Sequence, residues 1–231
     1  MTTVLIGLIA VMAALGWTLL LGVHQRDVAV VVNGAGSLVA VAVPIAVDLF
    51  VPIDHGTSSA APLQLSLLIG IAGLLHMLGM LDWYDRVWWW DHVTHTVSAA
   101  LIAAVVYAWV LVGSVDTPAA AAVDPKLLTV GFTMLAGIVW ELVEWALRLL
   151  SDRLDIEGVV KRYGRLDTPL DILFDLVGAV LVVVIDLRVF VPIFAPIPEY
   201  VDLLASGLLA GLVLAVVGST AVIASVYAAQ R

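Results

Sequence analysis

Residues 92–113 read HVTHTVSAALIAAVVYAWVLVG, and this stretch decides the fold. From Thr96 to Gly113 it holds no charged side chain. A bilayer-crossing helix needs roughly 20 mostly apolar residues, and this run supplies them. Its first turn differs: Asp91, His92 and His95 stand at the entrance. Ionisable groups in or beside hydrocarbon are costly and rare, and they mark functional sites by default. The stretch thus predicts a membrane helix with a site at one end.

Working outward, the same hydropathy reading gives about seven spans, near 3–23, 29–51, 63–82, 92–113, 127–149, 170–190 and 201–227. The expected fold is all-α: a polytopic transmembrane helical bundle forming one domain over residues 1–231. Composition agrees, with 63% hydrophobic and 13% charged residues. A soluble domain has roughly 45–50% and about 25%. The breaks have local causes: His24 to Asp27, then Pro52 to Pro62, then Asp116 to Pro125, and the polar stretch Ser151 to Thr168. Pro192, Pro196 and Pro198 interrupt the chain after the sixth span, in a segment suited to the membrane interface.

Orientation follows from Lys and Arg in short loops, which collect on the cytoplasmic side. With the N-terminus outside, the inner side holds Arg26, Arg86, Arg148, Arg153, Lys161, Arg162, Arg165 and Arg231. Lys126 and Arg188 remain outside. The expected location is the cell membrane, multi-pass, with the N-terminus outside and the C-terminus cytoplasmic. Trp83, Tyr84 and Trp88 to Trp90 suit an aromatic belt at the inner face. Met1-Thr2-Thr3-Val4 lacks the basic start of a cleaved signal peptide.

The net charge of −9 argues against nucleic acid, whose phosphates call for a basic stripe. Membrane lipid is the expected partner; protein partners are not readable. An acidic, Lys-poor, Ala/Val-rich chain suggests a halophilic archaeal source. No cysteine is present, which excludes disulfides, thiolate metal sites and Cys nucleophiles.

Four polar clusters interrupt the apolar chain: His76; Asp91, His92 and His95; Glu141 and Glu144; and Asp167, Asp171 and Asp175. The topology rests on Lys and Arg alone, yet it puts all four in the cytoplasmic half. Residues three or four apart share a helix face, so each cluster forms a stripe. Stripes that face one another make the economical arrangement. Imidazoles and carboxylates on packed helices are how bundles hold carboxylate-rich metal centres. His92, His95, Glu141, Glu144 and Asp171 are the candidate ligands of a divalent metal ion. His76 and Asp175 are the candidate catalytic groups, with Asp91 and Asp167 as further polar members. So many carboxylates need a cation, a proton, or Arg86, Arg148 or Arg165 to offset them. Structural alternatives stand beside these readings. Asp91 and Asp167 can cap helices, Glu141 and Glu144 can pair with Arg148, and His76 can be a hydrogen-bonded interior histidine. Asn33 and Asp48 are isolated and receive no role.

In this order the clusters resemble the YjdF-like family of inner-membrane proteins. The resemblance rests on His76 to Gly79, Asp91 to His95, Glu141 to Trp145, and Asp167, Thr168, Asp171, Gly178 and Ala179. It covers residues 76–179; His92 and Asp175 stand outside its pattern. VanZ-like membrane proteins show a weaker similarity. The resemblance implies a shared site and no particular reaction.

Three functions fit. One is a metal-dependent hydrolase or transferase acting on a lipid or lipid-linked substrate at the inner leaflet. Another is a proton or metal-ion transporter. The third is a structural or accessory membrane protein with a buried polar network. A retinal protein is excluded because Val201 to Tyr227 contains no lysine. A membrane di-iron desaturase is excluded because five histidines are too few.

Overall fold

A computed structural model describes residues 1–50, 60–113, 124–154, 166–198 and 201–228, and every element in them is helical. The elements are α1 (Thr2–Gln25), α2 (Val28–Phe50), α3 (Ala61–Leu78), α4 (Tyr84–Arg86), α5 (Trp90–Gly113), α6 (Pro125–Leu154), α7 (Asp167–Val184), α8 (Val191–Phe194) and α9 (Val201–Ala228). Among the described residues, six helices are long and apolar enough to cross a membrane, with α3 and α4 counted as one. The helix α7 is the remaining expected span. Three aspartates occupy one end of its 18 residues, and its length is about 27 Å. The fold is a helical membrane bundle of about seven spans. Most of the expected 52–62, 116–125 and 151–168 connections, with Lys161, Arg162, Arg165 and Arg231, lies outside the described residues.

The first hairpin shows how local chemistry makes the turns. Arg26 closes α1 in the left-handed region (φ 59°), and its N–H reaches the carbonyls of Gly22 and Val23. Asp27 then caps α2, its Oδ1 accepting the N–H of Val30 at 3.0 Å. At the other polar end, α6 runs past its expected limit to Leu154. Ser151-Asp152-Arg153 is therefore helical, and Arg153 donates to the carbonyl of Ser225 in α9 at 2.9 Å.

Two groups of helices form. The helices α1, α2 and α3 pack mutually around Leu8, Leu15, Val30, Val41 and Met77. The helices α5, α6 and α7 pack mutually, and α9 lies against α6. The α5–α7 contact is the most extensive among the described helices, and Gly178, with no Cβ, sits directly against α5. A Cβ there would strike the carbonyl oxygen of Thr96 and the backbone of Ala100. Small residues let membrane helices approach in this way, and Ala99, Ala103 and Ala179 extend the seam. The proline-rich segment packs on the bundle. Phe190 and Phe194 are buried with Tyr107 and Val182, sealing the far end of α5 and α7. Exposed apolar side chains such as Trp17, Leu20, Val213 and Leu214 cover the outside of α1 and α9, as a lipid-facing surface requires.

Candidate functional site

The candidate side chains gather toward one end of the bundle. Asp91 and His95 occupy the first turns of α5, while Asp167, Asp171 and Asp175 occupy the first turns of α7. The segment of α6 from Glu141 to Arg148 crosses beside them, and His76 ends α3. One cavity of about 530 Å³ joins these helices and α2. Its volume is that of a small-molecule site.

His95 is the centre. Its Nδ1 lies 3.1 Å from Asp175 Oδ1, a hydrogen bond between α5 and α7. Its Nε2 lies 3.6 Å from Asp171 Oδ1 and 4.0 Å from Asp91 Oδ1. If Nδ1–H donates to Asp175, the neutral ring turns its Nε2 lone pair toward two carboxylates. Lone pairs facing carboxylates repel unless a cation or proton lies between them. Asp91, His95 and Asp171 each offer a ligand atom, and these atoms lie within 4.8 Å of one another. Ligand atoms around one ion at about 2.1 Å sit roughly 3–4 Å apart, so small side-chain movements close the set. One imidazole with two carboxylates suits Zn, Mn or Fe. Asp175 stands where an outer-shell carboxylate would orient His95 if it held a metal. It is held in place opposite Gly137, where a Cβ would collide with its carboxylate.

The glutamates are next in line. Glu144 accepts from Trp140 Nε1 at 3.0 Å and from Arg148 Nη1 at 3.1 Å. Arg148 also lies 4.0 Å from Asp167, so it offsets two buried carboxylates. Arg86 pairs instead with Asp82 at the surface, and Arg165 lies outside the described residues. Glu141 is buried, and neither of its oxygens has a hydrogen-bond partner at standard geometry, although Thr168 approaches it. A buried acceptor left unmatched costs about 1–3 kcal/mol.

His92 takes a different place. Its ring stacks on Phe174 at 4.3 Å, meets Trp88 edge-on at 6.1 Å, and leaves its buried Nδ1 without a hydrogen bond. It is not in the three-residue group, and Glu141 and Glu144 are not either. His76 lines the cavity wall and is bonded through Nδ1 to the Tyr84 hydroxyl at 2.6 Å.

Several lining residues escaped sequence reasoning. Tyr84 is buried in the cavity wall and is not part of the exposed belt; Trp83, Trp88 and Trp89 are exposed. Asn33 and Ser37 of α2 also line it. The signal for Asn33 was available, because α2 begins at Val28 on the face where the clusters gather. Away from its polar end the cavity is walled by Val32, Ala99, Ile102 and Ala136. Val32, Ile102 and Trp140 are exposed and frame its open side. Among the described residues, neither α2 nor α3 packs extensively on α6 to close that side.

A family model described as "Predicted membrane protein (DUF2238)" matches residues 3–191. The chain belongs to this family. The match takes in α1 and α2, which the sequence resemblance did not reach, and stops short of α9. No curated protein matches the chain, and no solved structure does.

Proposed function

We propose that the protein is a divalent-metal-dependent membrane enzyme, a hydrolase or transferase acting on a lipid or lipid-linked substrate. The YjdF-like resemblance is consistent with the family match and adds no reaction. The observation that carries the reading is the posture of His95. One ring nitrogen is tied to Asp175 and the other is aimed at Asp91 and Asp171. Those three residues would hold the ion. When bound, it would supply Lewis-acid polarisation of the substrate headgroup. Asp175 holds the His95 tautomer, and Glu144 on the cavity wall offers a further carboxylate. His76 faces the substrate across the cavity.

The cavity supports the lipid part of the reading. From Asp91 to Ile102 its wall rises along α5 by about 16 Å, from a polar end to an apolar one. Its open side is framed by the exposed side chains of Val32, Ile102 and Trp140, on helices apolar enough to cross a membrane. An amphiphile could enter sideways, head at the carboxylates and chain along Ile102 and Ala136. In the proposed orientation this end is cytoplasmic, so the substrate comes from the inner leaflet.

The test is metal analysis and thermal unfolding of purified wild type and His95→Ala, each with and without chelator. We expect about one ion per wild-type chain and none in the variant. The wild type should lose about 2.7 kcal/mol to chelator if the ion was present at ~100 times its Kd. Equal metal in both proteins, or no response of the wild type to chelator, would falsify the reading. The same geometry would then describe a His95 imidazolium among three aspartates, a proton-handling or structural network.

A further inference from the structure

The segment after α3 is the most distorted described stretch of the protein. Gly79–Trp83 forms a widened helical turn, interrupted at Leu81 (φ −84°, ψ 48°) and Asp82 (φ 74°, ψ −1°). A left-handed aspartate costs energy and persists only when its surroundings impose it. The distortion has a visible product. It folds α4 back so that the Tyr84 ring lies on Gly79, where any Cβ would overlap it. The Tyr84 hydroxyl then reaches His76 Nδ1 at 2.6 Å, eight residues back, a pair that no straight helix brings together.

Thr94 uses its hydroxyl hydrogen on the Asp91 carbonyl at 2.7 Å. Its oxygen stands 3.5 Å from the Tyr84 hydroxyl, a longer and weaker alternative to the 2.6 Å contact with His76. The Tyr84 O–H is thus placed to donate to Nδ1, the shorter of these two contacts. A neutral imidazole that accepts at Nδ1 carries its proton on Nε2. That nitrogen is not among the buried atoms lacking a partner, and His76 lines the cavity.

We infer that Tyr84 is a positioning residue that holds His76 as a fixed Nε2–H donor for an oxyanion in the cavity, rather than as a general base. The ligand chemistry is a phosphate-type oxyanion, on a lipid headgroup or free. The cavity is lined by Asp91, Asp171, Asp175, Glu144 and Asp167. An anion is tolerated among these carboxylates only with a cation present, so the inference rests on the metal reading above. The Nε2–H then contacts an oxygen that the cation does not take. Asn33, across the cavity on α2, gives one of its two amide N–H groups to the Ala29 carbonyl at 2.9 Å. On the α3 wall the ring donor is His76.

The experiment uses full-length protein in nanodiscs with 15N-histidine, and the His76 resonances are assigned by His76→Gln. Spectra are taken without metal, with Mg2+ or Zn2+, and then with inorganic phosphate or with a short-chain lipid phosphate. The expected result is a proton on Nε2 and a hydrogen-bonded, unprotonated Nδ1 in all states. The Nε2–H should shift on oxyanion addition. A response to both probes marks a free-phosphate site, and a response only to the lipid phosphate marks a headgroup site. Tyr84→Phe should remove the Nδ1 hydrogen-bond signature and weaken oxyanion binding about tenfold. If Tyr84→Phe does not fold, His76→Gln and His76→Ala decide by equilibrium dialysis: the Gln amide should keep part of the binding and Ala should lose it. A proton on Nδ1, or an Nε2–H unmoved by both probes in metal-loaded protein, overturns the inference. Metal-free protein whose Nε2–H still responds overturns only the metal reading. Protein that takes up neither Mg2+ nor Zn2+ when offered, and whose Nε2–H answers neither probe, overturns both.

Discussion

At the scale of single residues, function and stability hang on how each buried charge is answered. Asp175 does not join the three-residue group but contacts His95 at 3.1 Å, and in the proposed site its role is orientation. Loss of such outer-shell partners typically lowers metal affinity 10–100-fold. Asp175→Asn should show that drop by calorimetric titration while still folding, and an unchanged affinity would remove Asp175 from the site. Arg148 answers Glu144 and Asp167 together. Replacing it with Met strands two buried carboxylates and should cost about 3–5 kcal/mol in unfolding assays in detergent. At the far end of the bundle, Asp186 lies past the end of α7 with a positive φ of 55°. The Tyr107 hydroxyl and Arg188 bond to it and hold its carboxyl below the usual value for aspartate. The folded value is the lower one, so its stabilising effect is complete above about pH 3.9 and fades as pH falls through the folded value. Melting temperatures of wild type and Asp186→Asn should therefore differ at neutral pH and converge on acidification. A difference that widened on acidification would show the sign to be wrong.

At the scale of elements, the α5–α7 pair is the spine that fixes the spacing of His95, Asp171 and Asp175. Its closeness depends on Gly178, whose position admits no Cβ without displacing the backbone of α5. Gly178→Val should destabilise the protein by at least the ~1–3 kcal/mol of an overpacked core, and should weaken metal binding as well. Gly131 on α6 faces open space, and Gly131→Ala is the control expected to leave both unchanged. Equal melting temperatures for Gly178→Val and wild type would mean that α5 and α7 are not packed this way. The kink after α3 is the other decisive element. Gly79 was visible as a motif residue, but its reason was not: it makes room for the Tyr84 ring.

At the scale of the whole molecule, the arrangement is two helix groups with a cavity at their seam, open on the flank between α2 and α6. The proposed orientation places the polar end of that cavity at the cytoplasmic face. A reporter enzyme fused after Arg231 should be active only inside the cell, and activity outside would reverse the leaflet from which substrate is drawn. A single cysteine at either end would test the same point cleanly, since the chain has none of its own.

What the sequence determined by itself was set by short-range and solvent physics. Long apolar runs dictate helices in hydrocarbon, so about seven spans were legible, as were the polar stripes of α5, α6 and α7, because period 3.6 is a property of one helix. It could not say which stripe member meets which. His92 and His95 are equivalent on paper, yet only His95 faces Asp171 and Asp175, while His92 stacks on Phe174. That difference is made by the rotation of α5 against α7, which the backbone contact at Gly178 imposes. Tyr84 was invisible as a site residue for a related reason: it is carried to His76 by a break in helical geometry. Interhelical distance and rotation come from packing between segments far apart in sequence, and so only the tertiary structure decided them.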